Sequence, residues 1–258
     1  MRELKGLVAW VTGAGSGIGE AAALAYAGAG MTLVLSGRRE DALRAVAGRV
    51  AAAGGTARIE PLDVTDGAAV QAVADGIAAR EGRLDVLVNS AGLNVRRRNG
   101  QHLAREGWDE VIAVDLNGAF YCCHAVLPLM RRQGGGLIVN VSSWAGRHVG
   151  ALTGPAYSAA KFGLNAMTES LNLEEGMHGI RATAVCPGEV STPILDKRPV
   201  PVSAEERARM VQPEDCGELM LFLARLPPHV CINDLTISPT HNRLYLAQAQ
   251  AIRDPGPG

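Results

Sequence analysis

A tyrosine and a lysine four residues apart, in Tyr157-Ser158-Ala159-Ala160-Lys161, are the side chains best suited to acid–base chemistry in this 258-residue chain. Residues four apart lie one turn along the same helical face, so the phenol and the ammonium can act on one site. A free tyrosine has a pKa of about 10, too high for ready proton exchange at neutral pH, and a nearby cation favours the phenolate. The spacing therefore predicts a tyrosine acid/base that is tuned by a lysine.

Two serines, Ser142 and Ser143, follow an apolar run of strand length at residues 137–141. A hydroxyl at the end of a strand can polarise the carbonyl group that accepts a hydride. The alternative is that both serines only cap the end of the strand. The position favours a catalytic serine beside the tyrosine.

A glycine-rich turn separates the first apolar run from the first helical stretch. It reads Thr12-Gly13-Ala14-Gly15-Ser16-Gly17-Ile18-Gly19. Gly13 permits the tight turn, Gly17 removes a Cβ where a phosphate must approach, and Gly19 allows close packing of helix on strand. Because backbone amides and the positive end of the helix face outward here, we expect Gly13, Ser16, Gly17, Ile18 and Gly19 to bind a dinucleotide pyrophosphate. The alternative is a turn that merely reverses the chain.

The second apolar run, residues 31–36, ends in Gly37-Arg38-Arg39. Dinucleotide folds often carry an acidic residue here for the ribose 2′-hydroxyl of NAD, and this chain has none at that position. The planar guanidinium of Arg38 can instead pair with a 2′-phosphate. We therefore predict NADP as the cofactor, with NAD as the alternative if both arginines are only solvated.

Apolar runs of strand length alternate with alanine-rich stretches of helical length along most of the chain. The strand-like runs are residues 7–12, 31–36, 57–62, 84–89, 137–141, 181–185 and 232–237, and the helical stretches are 20–28, 41–53, 68–79, 108–130 and 156–175. Continuously apolar strands are typical of parallel sheets with both faces covered. The pattern predicts an α/β, Rossmann-type doubly wound sheet of about seven strands, with residues 1–258 forming a single domain.

Composition argues against nucleic acid, membranes and metals as partners. A formal net charge of -1 gives no net attraction to phosphate backbones or anionic lipid. The apolar run at residues 7–11 is too short for a secretory or membrane-spanning segment, so we expect a cytoplasmic protein. The five cysteines include no CxxC pair and the six histidines no HExxH, which predicts reduced thiols and no catalytic metal.

Three motifs, in order along the chain, resemble those of the short-chain dehydrogenase/reductase family. They are TGxxxGxG at residues 12–19, NSAG at 89–92 and YxxxK at 157–161. The second departs from the family's Asn-Asn-Ala-Gly turn at Ser90. The resemblance extends from Gly6 to about Pro239 and implies a compact single-domain oxidoreductase that uses a nicotinamide cofactor.

The resemblance assigns roles to four catalytic residues. Tyr157 is the general acid/base, and Lys161 tunes it while binding the nicotinamide ribose. Ser143 is the matching serine because the second of such a pair is the usual one, although it lies fourteen residues before Tyr157 rather than the usual thirteen. Asn117, in Asp115-Leu116-Asn117-Gly118, matches the family's helix asparagine that holds a water against the lysine.

Further residues surround the cofactor in the family pattern. They are Asp63, Val64, Asn89, Ala91, Gly92, Pro187, Gly188, Val190 and Thr192. The first two correspond to the adenine contact, although Asp63 could instead cap a helix that begins near Asp66. The last four correspond to the segment beside the nicotinamide, for which the alternative is an ordinary Pro-Gly turn.

These features predict an oxidoreductase that transfers a hydride between NADP(H) and a small carbonyl or alcohol substrate, with residues 189–209 as its substrate loop. The alternative is a non-catalytic nicotinamide-binding sensor or assembly module of the same fold. A third hypothesis, nucleic-acid binding through Arg96-Arg97-Arg98, depends on one short basic run that is more simply a solvated loop over the cofactor cleft. Lys197, Arg198 and Arg207 allow acidic substrates, but charged loop residues are usually only solvated.

The resemblance also suggests a homo-oligomer, either a tetramer or a dimer, in which the helices at residues 115–130 and 156–175 pair between subunits. The final Asp-Pro-Gly-Pro-Gly cannot continue a helix, so we expect residues from about 245 to 258 to be frayed.

Overall fold

A computed structural model describes residues 1–150, 152–198, 201–243 and 245–246. In this part of the chain the strands are Val8–Thr12 (β1), Thr32–Gly37 (β2), Thr56–Pro61 (β3), Val86–Asn89 (β4), Gly136–Val141 (β5), Ile180–Pro187 (β6) and Asp234–Ile237 (β7). The α-helices are Gly17–Gly28 (α1), Glu40–Ala52 (α2), Gly67–Arg80 (α3), Arg105–Ile112 (α4), Gly118–Arg132 (α5), Pro155–Glu175 (α6), Ala204–Ala208 (α7) and Pro213–Arg225 (α8). Most of the predicted frayed tail, and positions 199 and 200 of the predicted substrate loop, lie outside the described residues.

Seven strands of the described residues form one parallel sheet in the order β3-β2-β1-β4-β5-β6-β7. Helices cover both faces of this sheet, which confirms the predicted doubly wound architecture. The strand order changes direction between β1 and β4. Ligands of such folds bind outside the carboxyl ends of the strands at this point.

Both faces of the central strands are buried because successive side chains point to opposite faces of the sheet. On β1, Val11 joins an apolar cluster with side chains of α1, α2 and α8. Its neighbour Trp10 joins a second cluster with side chains of α3 and α5. The Trp10 indole nitrogen donates a hydrogen bond of 2.9 Å to the Ser36 hydroxyl, so the buried polar atom keeps a partner.

The predicted helix at residues 108–130 is longer and is interrupted in its middle. A π-helical turn, Ala113–Asn117, joins α4 to α5. By length and composition alone the whole stretch Arg105–Arg132 is apolar enough to cross a membrane, with a mean hydropathy of 1.4 over its most apolar window. Half of that window is buried inside the fold, as is usual for a core helix of a soluble protein.

The segments that follow the strands meet at one edge of the sheet. They contain Gly13 after β1, Arg38 after β2, Asp63 after β3, Ser90 after β4, Ser142 after β5 and Gly188 after β6. Parallel strands bring their carboxyl ends to the same edge, so residues far apart in sequence become neighbours there. This edge carries the candidate site.

Candidate active site

A cleft of about 620 Å³ opens along the carboxyl edge of the sheet. It is lined by most of the residues that the sequence nominated: Gly13, Ser16, Gly17, Ile18, Arg38, Asp63, Val64, Ala91, Gly92, Ser143, Tyr157, Lys161, Pro187, Gly188, Val190 and Thr192. Six strands and the start of α6 contribute to one site. The structure thus brings together most of the predicted cofactor and catalytic residues, whereas Gly19, Asn89 and Asn117 do not line the cleft.

Two residues that were predicted to bind the cofactor, Gly19 and Asn89, lie beside the cleft and make contacts within the protein. A Cβ on Gly19 would lie 2.4 Å from the carbonyl oxygen of Gly13, so this glycine lets α1 pack on the turn, as predicted. The Asn89 side chain points into the protein and donates to the Asn140 side-chain oxygen at 2.9 Å and to the Cys123 sulfur at 3.2 Å. Its predicted direct contact with a cofactor needs correction, because Asn89 instead links β4 to β5 and α5.

The glycine-rich turn forms a cradle that a dinucleotide fits. Gly13 has a φ of +64°, and a Cβ there would lie 2.7 Å from the Ser90 carbonyl oxygen. The Thr12 hydroxyl accepts bonds from the amides of Ser90 and Ala91 at 3.2 and 3.3 Å, which holds the two loops together. Ser16, at the start of α1, makes no side-chain capping bond. The first amides of α1 therefore remain available to an anionic group.

The end of β2 presents positive charge to the cleft. Arg38 and Arg39 both line it, and the Arg39 guanidinium donates to the Ser16 hydroxyl at 3.2 Å. Asp63 accepts bonds from the amide and the hydroxyl of Thr65 at 3.0 and 2.8 Å. The amide bond from Thr65, together with the charge of Arg38, lowers the pKa of Asp63. Arg38 thus lies in the cleft and its charge acts on Asp63.

The cap of α3 is made by a different aspartate from the one considered in the sequence. Asp66 accepts bonds from the amides of Ala68 and Ala69, both at 3.0 Å. Asp63 is therefore not needed as the helix cap and lines the cleft instead.

Tyr157, Lys161 and Ser143 converge at the middle of the cleft. The Lys161 nitrogen lies 5.4 Å from the centre of the Tyr157 ring and donates to the Val141 carbonyl at 3.0 Å. Ser143 lines the same cleft, and its side chain lowers the pKa of the Tyr157 phenol. Ser142 is buried, and its hydroxyl donates to the Lys161 carbonyl at 3.2 Å, so its contacts support α6. The geometry favours Ser143 over Ser142 as the partner of the tyrosine.

Opposing effects set the protonation of the tyrosine. Burial raises the pKa of Tyr157 above its ordinary value of 10.0, while Lys161 opposes this and Asp115 reinforces it. The pKa of Lys161 is also raised, because the charges of Asp115 and Tyr157 outweigh the burial that favours the neutral amine. In this state Tyr157 is a protonated phenol beside a charged lysine. The raised pKa differs from the lowering expected from the sequence, because burial outweighs the charge of Lys161.

Asp115, rather than Asn117, faces the lysine. Asn117 is exposed and does not line the cleft, so its predicted position at the site is wrong. Residues two apart on a helix point in nearly opposite directions, so only one of the pair can face inward. One Asp115 oxygen lies 3.6 Å from the Lys161 nitrogen, and the other accepts the Leu93 amide at 2.7 Å. Burial raises the pKa of Asp115, and Lys161 opposes it.

A signal for Asp115 is present in the sequence. It is a lone carboxylate within the apolar stretch Val111-Ile112-Ala113-Val114-Asp115-Leu116. A charge in the buried face of a helix requires a partner of opposite sign. Lys161, buried on a helix with predicted chemistry, is that partner.

A doubly wound sheet with a phosphate cradle at its switch point and a tyrosine–lysine pair above β5 defines a class of protein, the NAD(P)-dependent oxidoreductases. The family model described as short chain dehydrogenase matches residues 7–200. A protein described as an uncharacterized oxidoreductase from Staphylococcus aureus is 33% identical over 239 residues, which cover 93% of this chain and 100% of that protein. A D-threitol dehydrogenase from Mycolicibacterium smegmatis is 40% identical over 199 residues, which cover 75% of this chain and 74% of that protein.

Solved structures give the same result. A metagenomic short-chain oxidoreductase in complex with NADP is 33% identical, with a TM-score of 0.81 over 93% of this chain and 99% of that one. An alcohol dehydrogenase from the archaeon Thermococcus sibiricus, complexed with 5-hydroxy-NADP, is 28% identical, with a TM-score of 0.83 over 92% and 98% of the two chains. The chain belongs to the short-chain dehydrogenase family, which confirms the resemblance found in its sequence.

Proposed function

We propose that the protein transfers a hydride between NADP(H) and a small carbonyl or alcohol substrate, with Tyr157 as general acid/base. The observation that carries this proposal is the convergence of Ser143, Tyr157 and Lys161 in a cleft that continues to the glycine cradle and Arg38. The relatives named D-threitol dehydrogenase and alcohol dehydrogenase act on hydroxyl groups by their names, which supports this substrate class.

Each part of the cleft has a part of the cofactor to hold. Gly13, Ser16, Gly17 and Ile18 would bind the pyrophosphate, and Arg38 the 2′-phosphate. Asp63, Val64, Ala91 and Gly92 would border the adenosine, and Lys161 would bind the nicotinamide ribose. Pro187, Gly188, Val190 and Thr192 would flank the nicotinamide, which supplies or accepts the hydride.

The side chains of Ser143, Tyr157 and Lys161 would bind the substrate oxygen and transfer its proton. Ser143 and Tyr157 hydrogen-bond to the carbonyl oxygen and polarise it. Tyr157 gives its proton to that oxygen as negative charge develops there. Lys161 stabilises the resulting phenolate, and Asp115 keeps the lysine charged. Oxidation of an alcohol uses the same groups in the opposite direction.

Cofactor preference tests the role of Arg38. Arg38→Ala should weaken NADPH binding about tenfold or more and leave NADH binding unchanged, because only NADPH carries the phosphate that the guanidinium would hold. Dissociation constants measured by isothermal titration check this. Arg44→Ala is the matched control, since Arg44 lies on the exposed side of α2 and pairs with Glu40. Wild-type protein that prefers NADH would contradict the assignment to Arg38.

The two reaction directions should depend on pH in opposite ways. Because the pKa of Tyr157 is raised above 10.0, its phenol stays protonated at neutral and mildly alkaline pH. The kcat/KM for carbonyl reduction should therefore remain level from about pH 6 to about pH 9, whereas that for alcohol oxidation should rise with pH because it needs the phenolate. Rates measured in both directions check this. Reduction that falls steadily over that range would contradict a protonated Tyr157 as the acid.

We also propose a cytoplasmic homo-oligomer of single-domain subunits. Phe120 on α5 and Phe162 on α6 are 48% and 42% exposed, which suits pairing of these two helices between subunits. The expected tetramer or dimer and the expected compartment remain predictions.

A further inference from the structure

The cleft holds two arginines that the proposed hydride transfer does not use. Arg98 and Arg198 both line it, on the side where Tyr157 stands. The charge of Arg98 acts on Tyr157, and the charge of Arg198 acts on Arg98, so the two guanidinium groups share the substrate end. We propose that the substrate is an oxo or hydroxy acid whose carboxylate binds to Arg98 and Arg198. This proposal rests on the proposed function.

Arg98 is held in place rather than solvated. It is 9% exposed, whereas its neighbours Arg96 and Arg97 are exposed. The basic run predicted as a solvated loop is therefore divided, with one member turned into the cleft.

The backbone around Arg98 is fixed against the start of the catalytic helix. The Asn94 side chain donates to the Thr153 carbonyl at 2.9 Å, which ties this loop to the segment before α6. Gly154, with a φ of +76°, lies so close to Arg98 that a Cβ on it would be 2.0 Å from the Arg98 carbonyl oxygen. Tyr157 follows three residues later, so the arginine and the phenol are positioned by the same element.

The electrostatics of this position favour an anionic ligand. Burial lowers the pKa of Arg98, and the nearby Arg198 lowers it further. Two cations facing the same cleft destabilise each other, and an anion placed between them relieves this. A guanidinium offers paired donors that match the two oxygens of a carboxylate.

The acidic residue beside these arginines is already engaged. Among the described residues, the carboxylates that line the cleft are Asp63, at the adenine end, and Glu189. Arg243 donates to both oxygens of Glu189, at 2.6 and 2.8 Å, and Arg198 donates to one of them at 2.7 Å. Arg198 and Arg243 thus share Glu189, and Arg243 also donates to Glu206 at 2.6 Å.

The cofactor phosphates do not account for these cations. The glycine cradle and Arg38 lie after β1 and β2, whereas Arg98 lies in the segment after β4 that packs against the start of α6. A carboxylate held by Arg98 while the carbonyl contacts Tyr157 places the two groups a few atoms apart in one small molecule.

Binding to the NADP⁺-saturated protein tests the proposal, because no carbonyl reduction takes place in that complex. The probes are pyruvate, acetoacetate and laevulinate, which space the ketone and the carboxylate differently, together with their methyl esters and methyl phosphate. At constant ionic strength, at least one acid should bind about tenfold or more tightly than its ester. Arg98→Gln and Arg198→Gln should each remove that preference, and Arg97→Gln should retain it.

The Arg198→Gln variant is included because Arg98 is buried, and replacing a buried residue can itself disturb the fold. A preference of less than tenfold for every acid, or a preference that survives in both variants, would overturn the proposal. Methyl phosphate binding without any acid would overturn the assignment to a carboxylate. The affinity for NADP⁺ is measured first, and a protein that does not bind NADP⁺ contradicts the proposed function. In that case the acids and their esters are compared on the ligand-free protein. Failure of the carboxylate proposal is thereby distinguished from failure of the proposed function.

Discussion

Replacing Tyr157 by phenylalanine is expected to lower kcat by about three orders of magnitude or more while leaving the dissociation constant for NADPH within about twofold. The substitution removes only the hydroxyl that would protonate the substrate oxygen. Single-turnover oxidation of NADPH, followed at its absorbance maximum, measures the chemical step, and isothermal titration measures binding. The separation of the two readouts distinguishes loss of the acid from loss of the site.

Tyr121→Phe is the matched control for this experiment. Tyr121 lies on α5, packs against Gly67 and does not line the cleft, so its hydroxyl has no role in the proposed chemistry. The control should keep wild-type turnover. Turnover retained by Tyr157→Phe would contradict its role as the general acid/base.

Lys161→Met is expected to lower both turnover and stability. Turnover should fall about a hundredfold or more, because the phenolate of Tyr157 loses its neighbouring cation. The free energy of unfolding should fall by about 3 kcal/mol, because Asp115 keeps a buried charge without its ammonium partner. Urea unfolding measures the second effect.

The stability loss of Lys161→Met should depend on pH in a defined direction. Burial raises the pKa of Asp115 above its unfolded value, and removing Lys161 raises it further. A carboxyl whose pKa is raised by folding stabilises the protein at low pH and less so as pH rises. The loss should therefore be larger at about pH 8 than at about pH 5.

A double variant separates the two roles of Lys161. Lys161→Met with Asp115→Leu replaces the buried pair by apolar side chains, which should restore most of the stability but none of the turnover. Recovery of turnover would contradict the catalytic role of the lysine. Stability as low as that of the single variant would contradict the pairing of Asp115 with Lys161.

Local sequence patterns were sufficient to predict much of this site. The four-residue spacing of Tyr157 and Lys161 puts them on one face wherever a helix forms, and a continuously apolar strand requires cover on both faces. The glycine spacing after β1 constrains the backbone in its own segment. These inferences needed no long-range contact, and the structure retains all of them.

Local patterns could not predict the direction in which a side chain points or the contacts between residues that are far apart in the sequence. Asp115 and Asn117 are polar residues of the same π-helical turn, Ala113–Asn117, and Asp115 is the one that faces Lys161. Arg98 is buried, unlike Arg96 and Arg97, and its carbonyl group lies against Gly154, which is far away in sequence. Asn89 turned inward because it pairs with Asn140 on the neighbouring strand.

The non-catalytic alternative, a nicotinamide-binding sensor or assembly module, predicts a different set of results. Such a protein binds the cofactor, and its Tyr157→Phe variant behaves as the wild type in every assay. The effect of Ser143 on the pKa of Tyr157 and the buried Asp115–Lys161 pair favour catalysis, because a binding module has no need of a tuned phenol.

The most direct test of the central claim is titration of the purified protein with NADPH, following quenching of tryptophan emission and energy transfer to the bound cofactor. Trp10, Trp108 and Trp144 provide the signal. We expect saturable quenching with a dissociation constant in the micromolar range or below, and weaker binding of NADH. The absence of binding by either cofactor would contradict the assignment of the cleft and, with it, the proposed reaction.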